Sequence, residues 1–310
     1  MPTVLITGGT GLIGSALSQM LVNKGYEVII LTRHKSAISN QSSKLTYAEW
    51  NVEKETIDKD AFGRADYIIH LAGANIGEKR WTTKRKKEIV ESRTKSGDLL
   101  IKALKENTNR VQAVVSASAI GWYGADTNIS LQKGFNEDDP SSQDFLGKTC
   151  EQWEQAIKPA ETLGKRLVII RSAIVLSNNG GAYPEFKKPL KFGIAAVLGK
   201  GNQIISWVHI EDICRIYIYA LENNISGTFN ATAPYPISNK ELMLKLAKAV
   251  RGKFFTPLHV PTFVLKLILG ELSIEVLKSA TISDKKIKSA GFQFLYPSID
   301  AAINKLEGKI

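Results

Sequence analysis

The 310-residue chain predicts an α/β fold: a Rossmann-type doubly wound parallel sheet followed by a smaller, mostly helical C-terminal lobe on the substrate side. Three observations carry this. Apolar runs rich in Val and Ile alternate with helix-period segments through the first 175 residues, the pattern of successive βαβ units. The first run leads directly into Thr7-Gly8-Gly9-Thr10-Gly11-Leu12-Ile13-Gly14 and then a helical stretch, the setting in which a glycine-rich turn marks a dinucleotide site. Beyond about residue 175 the alternation ends.

In chain order, the strands are expected at Thr3 to Thr7, Glu27 to Thr32, Leu45 to Glu49, Tyr67 to Leu71, Ala113 to Ala117 and Leu167 to Arg171. Their unbroken apolar character implies burial on both faces. Helices are expected at Gly11 to Lys24, Lys84 to Asn107 and Gly147 to Leu163. A Gly- and Pro-containing stretch, Asn178 to Gly201, then precedes the run Ile204 to His209 and a helix near Ile210 to Asn223. Phe229 to Ala233 reads as a further strand returning to the first domain. Asn239 to Arg251, Pro261 to Leu269 and Ser298 to Leu306 read as helices covering a cleft from one side. The expected division is a cofactor domain over 1–175, with the strand near 228–233 returning to it, and a substrate-side lobe with a C-terminal helical segment over 176–310.

Composition narrows the class. With 44% hydrophobic and 23% charged residues the chain is an ordinary globular protein. No apolar run approaches the ~18 residues of a membrane span. The chain opens on a strand-like run rather than a signal peptide, so a cytoplasmic protein without membrane contact is expected. Cys150 and Cys214 are far apart and lack metal-ligand spacing, which predicts neither disulfide nor metal site. The net charge of +11 is read first as solvated helix faces, and beyond that as attraction of phosphorylated ligands or nucleic acid.

The glycines stand where a pyrophosphate must approach the backbone, with the helix N-terminus receiving its charge. In NAD-specific folds a carboxylate ends the second strand and binds the ribose hydroxyl. This chain has Thr32-Arg33-His34-Lys35 there. A guanidinium in place of a carboxylate suits the ribose phosphate of NADP, so NADPH or NADP is the expected cofactor.

Several motifs occur together and in order: the glycine run, His70-Leu71-Ala72-Gly73, Ser116-Ala117-Ser118-Ala119-Ile120-Gly121-Trp122-Tyr123-Gly124 and Trp207-Val208-His209-Ile210-Glu211-Asp212. They resemble the extended short-chain dehydrogenase/reductase superfamily, which contains the nucleotide-sugar epimerases. Ser92-Arg93, Gly180-Gly181-Ala182, Asn230-Ala231-Thr232-Ala233-Pro234 and Ala290-Gly291-Phe292 look like its atypical "epimerase family" branch, with a C-terminal helical segment of its own. The resemblance implies that Gly8, Thr10, Gly11, Leu12, Ile13 and Gly14 hold the pyrophosphate and that Thr32 and Arg33 meet the adenosine ribose. It places Leu71, Ala72 and Gly73 along the cofactor's centre and Ser116 near the nicotinamide ribose. Asn51 stands where relatives commonly place an Asp beside adenine.

The superfamily's proton shuttle is a Tyr and a Lys four residues later on one helix, where the cation lowers the phenol's pKa. The expected segment, Phe145 to Glu154, contains no tyrosine. Aligned on Glu154, Leu146 and Cys150 take the two positions, and a slip by one residue gives Phe145 and Thr149 instead. A literal match at Tyr183 and Lys187 falls in the region expected to build the second lobe. The remaining catalytic candidates are Ser118, Tyr123 and Arg93, the last standing where relatives carry an Asn and supplying a fixed cation for catalysis or for an anionic substrate. Arg171 ends a strand at the ligand edge and is expected to meet either a ligand or a Glu or Asp, His209 is expected to be structural, and Trp81, Trp122 and Trp207 read as core or as a cleft wall.

The leading functional reading is an NADP(H)-dependent oxidoreductase or epimerase-like enzyme acting on a small, anionic carbonyl or sugar-type substrate. A non-catalytic NADPH-binding sensor or interaction module is the alternative. RNA binding comes third, since no interleaved aromatic and basic stripe supports a nucleic-acid partner. Monomer and homodimer are both open.

Overall fold

The computed structural model describes residues 1–33 and 43–309; His34 and Lys35 lie outside the described residues. The first half contains β1 (Thr3–Thr7), α1 (Leu12–Asn23), β2 (Glu27–Thr32), β3 (Leu45–Asn51), β4 (Thr56–Ile57), α2 (Lys59–Gly63), β5 (Tyr67–His70), α3 (Thr83–Glu106), β6 (Ala113–Ala119), α4 (Ser130–Lys133), α5 (Phe145–Ile157) and β7 (Arg166–Ser172). The second contains β8 (Ile174–Leu176), α6 (Ala182–Lys187), β9 (Ile194–Leu198), β10 (Ile204–Ile205), β11 (Trp207–His209), α7 (Ile210–Glu222), β12 (Gly227–Ala231), β13 (Ile237–Ser238), α8 (Asn239–Arg251), β14 (Thr256–Val260), α9 (Thr262–Leu269), α10 (Leu272–Leu277), α11 (Lys285–Ser289) and α12 (Ile299–Leu306).

Among the described residues the main sheet has eight strands in the order β12-β7-β6-β5-β1-β2-β3-β4. All neighbours are parallel except the short edge strand β4. The order reverses between β1 and β5, which creates the crevice at the carboxyl ends where open α/β sheets bind ligands. One face packs Leu5, Ile29 and Ile68 against Leu100 and Leu104 of α3 and Ile157 of α5. The other packs Val4, Ile6 and Ile30 against Leu17 and Leu21 of α1 and Ile213 and Tyr217 of α7. Burial on both faces explains why the strands lack alternation. Helix α5 is shorter than its apolar pattern suggests. Asp144 Oδ1 accepts from the Gly147 amide at its start, and Pro159 enforces a tighter 3₁₀ turn beyond Ile157.

The second lobe has its own core, in which Tyr183, Leu190, Trp207, Leu242, Leu246, Ile299 and Ile303 are buried together. Three two-stranded ladders, β8/β11, β9/β14 and β10/β13, accompany its helices. The apolar run Ile204 to His209 is two strands rather than one, because Ser206 Oγ turns aside to bond the carbonyl of Ala280 and the amide of Ile282. The C-terminal segment is laced back to earlier chain. Buried Asp212 accepts from the amides of Leu295 and Tyr296 at 2.8 and 2.9 Å, and Asp126 accepts from Ser279 Oγ and from the amide and hydroxyl of Thr281.

Candidate functional site

The crevice begins where β1 runs out. Gly8 has φ +68°, and a side chain there would come within 2.7 Å of the Leu71 carbonyl oxygen. A Cβ on Gly14 would lie 2.3 Å from the Gly8 carbonyl oxygen and 2.6 Å from Gly9 Cα, so the start of α1 touches the turn and only hydrogen fits between them. The Gly11 amide closes the turn on the Gly8 carbonyl at 3.0 Å. No side chain caps α1, and its first turn carries no acidic residue. The first turn of α1, from Leu12, is therefore left at the positive end of a helix dipole with no side chain neutralising it, which is what a pyrophosphate requires. The Gly180-Gly181 turn closes over Leu12, whose side chain lies 3.5 and 3.2 Å from the positions their Cβ atoms would take.

Beside this turn, at the carboxyl end of the neighbouring strand, Thr32 is half-buried at the end of β2 and Arg33 is exposed just beyond it. Asn51 ends β3, and its Oδ1 accepts from the Lys54 amide at 3.0 Å. The glycine turn, the open helix terminus and the cation after β2 fit a dinucleotide.

The end of β5 is fixed by a hydrogen-bonded column. The amides of Leu71 and Ala72 donate to Thr7 Oγ1 at 3.1 and 3.2 Å. That oxygen lies 2.7 Å from His70 Nδ1, so the one hydroxyl proton goes to the imidazole. His70 Nε2 is then the protonated nitrogen and faces Ser96 Oγ at 3.4 Å. Burial, reinforced by the Arg93 cation, pushes His70 down to about 3, and the ring is neutral at physiological pH. One turn earlier on α3, Ser92 Oγ accepts from the Ala74 amide at 2.9 Å.

Arg93 lies along this same loop. A Cβ on Gly73 would meet its guanidinium carbon at 3.1 Å, the guanidinium stacks 4.8 Å from the Trp153 ring, and Nη1 donates to the Ile89 carbonyl at 2.8 Å. Among the described residues no carboxylate pairs with it. Burial pushes its pKa down to about 10, with Cys150 opposing and Arg85 adding to the shift, so it stays charged at neutral pH.

At the positions of the absent Tyr/Lys pair, Leu146 and Cys150 are buried on α5 and pack against Gly121. Burial pushes the Cys150 thiol up to about 12. Ser118 and Tyr123 belong to a closed network instead. Ser118 Oγ donates to Glu154 Oε1 at 2.6 Å. Arg171 grips both oxygens of Glu154 at 2.8 and 3.0 Å, donates to Tyr123 Oη at 3.0 Å and covers Trp122. Tyr123 in turn donates to Asn230 Oδ1 at 2.8 Å. Its side chain is fully buried, and that burial raises the phenol to about 12 against the pull of Arg171. Ser116 is also buried, its hydroxyl turned to the Ala117 carbonyl.

The other marked residues fall outside this constellation. Tyr183 and Lys187 both bond Glu307 in the second lobe. His209 Nδ1 accepts from the Glu211 amide at the start of α7, with its ring against Tyr296. Trp81 is buried with Ile89 and Leu146, Trp207 lies in the second-lobe core and Trp122 lies under Arg171, so the three do not form one wall. Sequence reasoning allowed Arg171 a Glu or Asp partner without identifying Glu154, and it missed the Thr7/His70/Ser96 column. The signal for the first was an acid one turn after Cys150 facing an arginine at a buried strand end.

Comparison with known proteins follows the same outline. Residues 4–231 match the NAD dependent epimerase/dehydratase family, and residues 260–306 match a domain of unknown function. The chain is 35% identical over 310 residues, all of both chains, to the epimerase family protein SAR0825 of Staphylococcus aureus. It is 34% identical over 305 residues, 98% of this chain and 97% of the relative, to the epimerase family protein YfhF of Bacillus subtilis. The crystal structure of human epimerase family protein SDR39U1 with NADPH superposes with a TM-score of 0.86 at 28% identity, covering 99% of this chain and all of that one.

Proposed function

The chain belongs to the NAD dependent epimerase/dehydratase family, and we infer that within it the protein is an NADP(H)-dependent cytoplasmic enzyme acting on a small anionic carbonyl or sugar-type substrate. Residues 1–175 with the returning β12 hold the cofactor, and residues 176–310 form the substrate side. The observation that carries the reading is Arg93: a charged, half-buried guanidinium packed on Gly73, without a carboxylate partner among the described residues. A desolvated cation without a counter-ion is costly unless a ligand supplies one.

The glycine turn and the first amides of α1 bind the pyrophosphate, while Arg33 pairs with the ribose phosphate and favours NADPH over NADH. That the epimerase family protein SDR39U1 was crystallised with NADPH supports the same preference. Bound there, the nicotinamide supplies or accepts hydride. Arg93 orients the substrate's anionic group or polarises its carbonyl oxygen. With Leu146 and Cys150 at the shuttle positions and Tyr123 locked against Arg171 and Asn230, neither the shuttle positions nor Tyr123 offers a free phenol to relay a proton, and Ser118 serves the Glu154 clamp.

The test is calorimetric titration with NADPH and NADH of the wild type and of Arg33→Ala, followed by a turnover panel of carbonyl acids and nucleotide sugars. The expected result is NADPH preference that Arg33→Ala removes, a loss of about tenfold to a hundredfold for one charge-assisted contact. Equal affinity for both dinucleotides overturns the cofactor assignment. Tight NADPH binding with no turnover across the panel favours the non-catalytic sensor instead.

A further inference from the structure

Between Glu241 and Glu271 the chain carries five basic side chains, Lys245, Lys248, Arg251, Lys253 and Lys266, and no acidic one. Lys245 is paired with Glu241 and Asp300. The other four make no ion pair among the described residues and are exposed. The same stretch holds large apolar side chains in solvent: Phe254 is 83% exposed, Phe263 72% and Leu267 74%. Leu258 and Ile268 are also exposed, whereas α9 buries only Leu265.

These residues follow one edge of the second lobe. β14 is the outer strand of the β9/β14 pair, and the Thr256 amide bonds the Gly193 carbonyl, which brings exposed Lys191 and Phe192 to the start of β14. Arg251 also approaches Gly193. Phe263 and Leu267 follow at the other end, one turn apart on α9 and thus on one face of the helix.

We propose that this edge is a docking surface for an anionic lipid bilayer, with the exposed aromatic and aliphatic side chains entering the headgroup boundary and Lys248, Arg251, Lys253 and Lys266 meeting lipid phosphates. Exposed aromatics and a run of unpaired cations with no carboxylate between Glu241 and Glu271 match what such a surface offers, an apolar interior under a negative rim. A second copy of the chain fits worse, because a two-fold contact here sets cations against cations. Edge pairing by β14 is also impaired, since Pro257 has no amide to donate. The surface departs from the sequence expectation of no membrane contact, which rested on the absence of a spanning segment.

The test is flotation of the full chain with vesicles of phosphatidylcholine alone and of phosphatidylcholine with phosphatidylglycerol. Two variants are compared, Phe263→Ser with Leu267→Ser and Lys248→Ser with Lys253→Ser. Both alter exposed positions, and unchanged circular dichroism melts confirm folding. The expected result is flotation with the anionic vesicles only, weakened about tenfold or more by either pair. No flotation, equal flotation with neutral vesicles, or binding unchanged in both variants overturns the proposal. So does light scattering that shows a dimer which Phe263→Ser with Leu267→Ser converts to monomer, or a heparin affinity that only the lysine pair reduces in a chain that ignores vesicles.

Discussion

Thr7 Oγ1 and His70 Nδ1 lie 2.7 Å apart, joining the strand before the glycine turn to the strand that lines the far side of the crevice. His70 is neutral in the fold, its pKa lowered to about 3 by burial and by Arg93, whereas unfolded histidine titrates near 6.5. A lowered histidine pKa means the unfolded chain binds the proton more tightly. The contribution is thus fully present above about 6.5 and is lost progressively as pH falls towards about 3. Urea midpoints are expected to decline more steeply below pH 6.5 for the wild type than for His70→Gln. Parallel declines would place the acid sensitivity elsewhere.

Arg93→Met removes a half-buried, desolvated charge that has no carboxylate partner among the described residues. It is expected to stabilise the apo protein by about 1 kcal/mol, as a residue kept for a ligand rather than for folding would. NADPH affinity should change little. A loss of stability in chemical denaturation would make Arg93 a structural residue and remove the basis for an anionic substrate.

The Glu154/Arg171 clamp behaves oppositely. Glu154→Ala leaves Arg171 buried beside Tyr123 without its counter-ion and is expected to cost about 3 to 5 kcal/mol. Replacing both residues by Met should recover a large part of that loss. Urea denaturation of the single and double variants measures it, and additive losses would show that the two side chains act independently.

Gly14→Ala tests the turn. The new Cβ would lie 2.3 Å from the Gly8 carbonyl oxygen, and overpacking of this kind costs about 1 to 3 kcal/mol. Fluorescence titration should show NADPH affinity falling by more than the stability loss alone accounts for, because the displaced atoms belong to the phosphate cradle itself.

The sheet was legible because its two-sided burial leaves long Val- and Ile-rich runs, and the cofactor turn because glycine spacing and strand-helix context coincide there. The ladders of the second lobe were not. Strands of two or three residues such as β10 and β13 carry no periodicity, and the break at Ser206 depends on partners more than 70 residues away. Ser118 and Tyr123 stand on the chain where reactive groups would, yet long-range pairing with Glu154, Arg171 and Asn230 turns both into the interior. Burial of that kind is decided by contacts no local pattern records.

The position of β12 bears on how the chain folds during synthesis. β7 leaves the ribosome more than fifty residues before its outer neighbour β12, and meanwhile presents an unpaired apolar edge. Domains form from the N-terminus onward, so the nascent protein passes through an interval in which the sheet ends at β7. A chaperone or the tunnel exit has its strongest claim on the chain in that window, which closes when Gly227 to Ala231 pair along Val168 to Ser172.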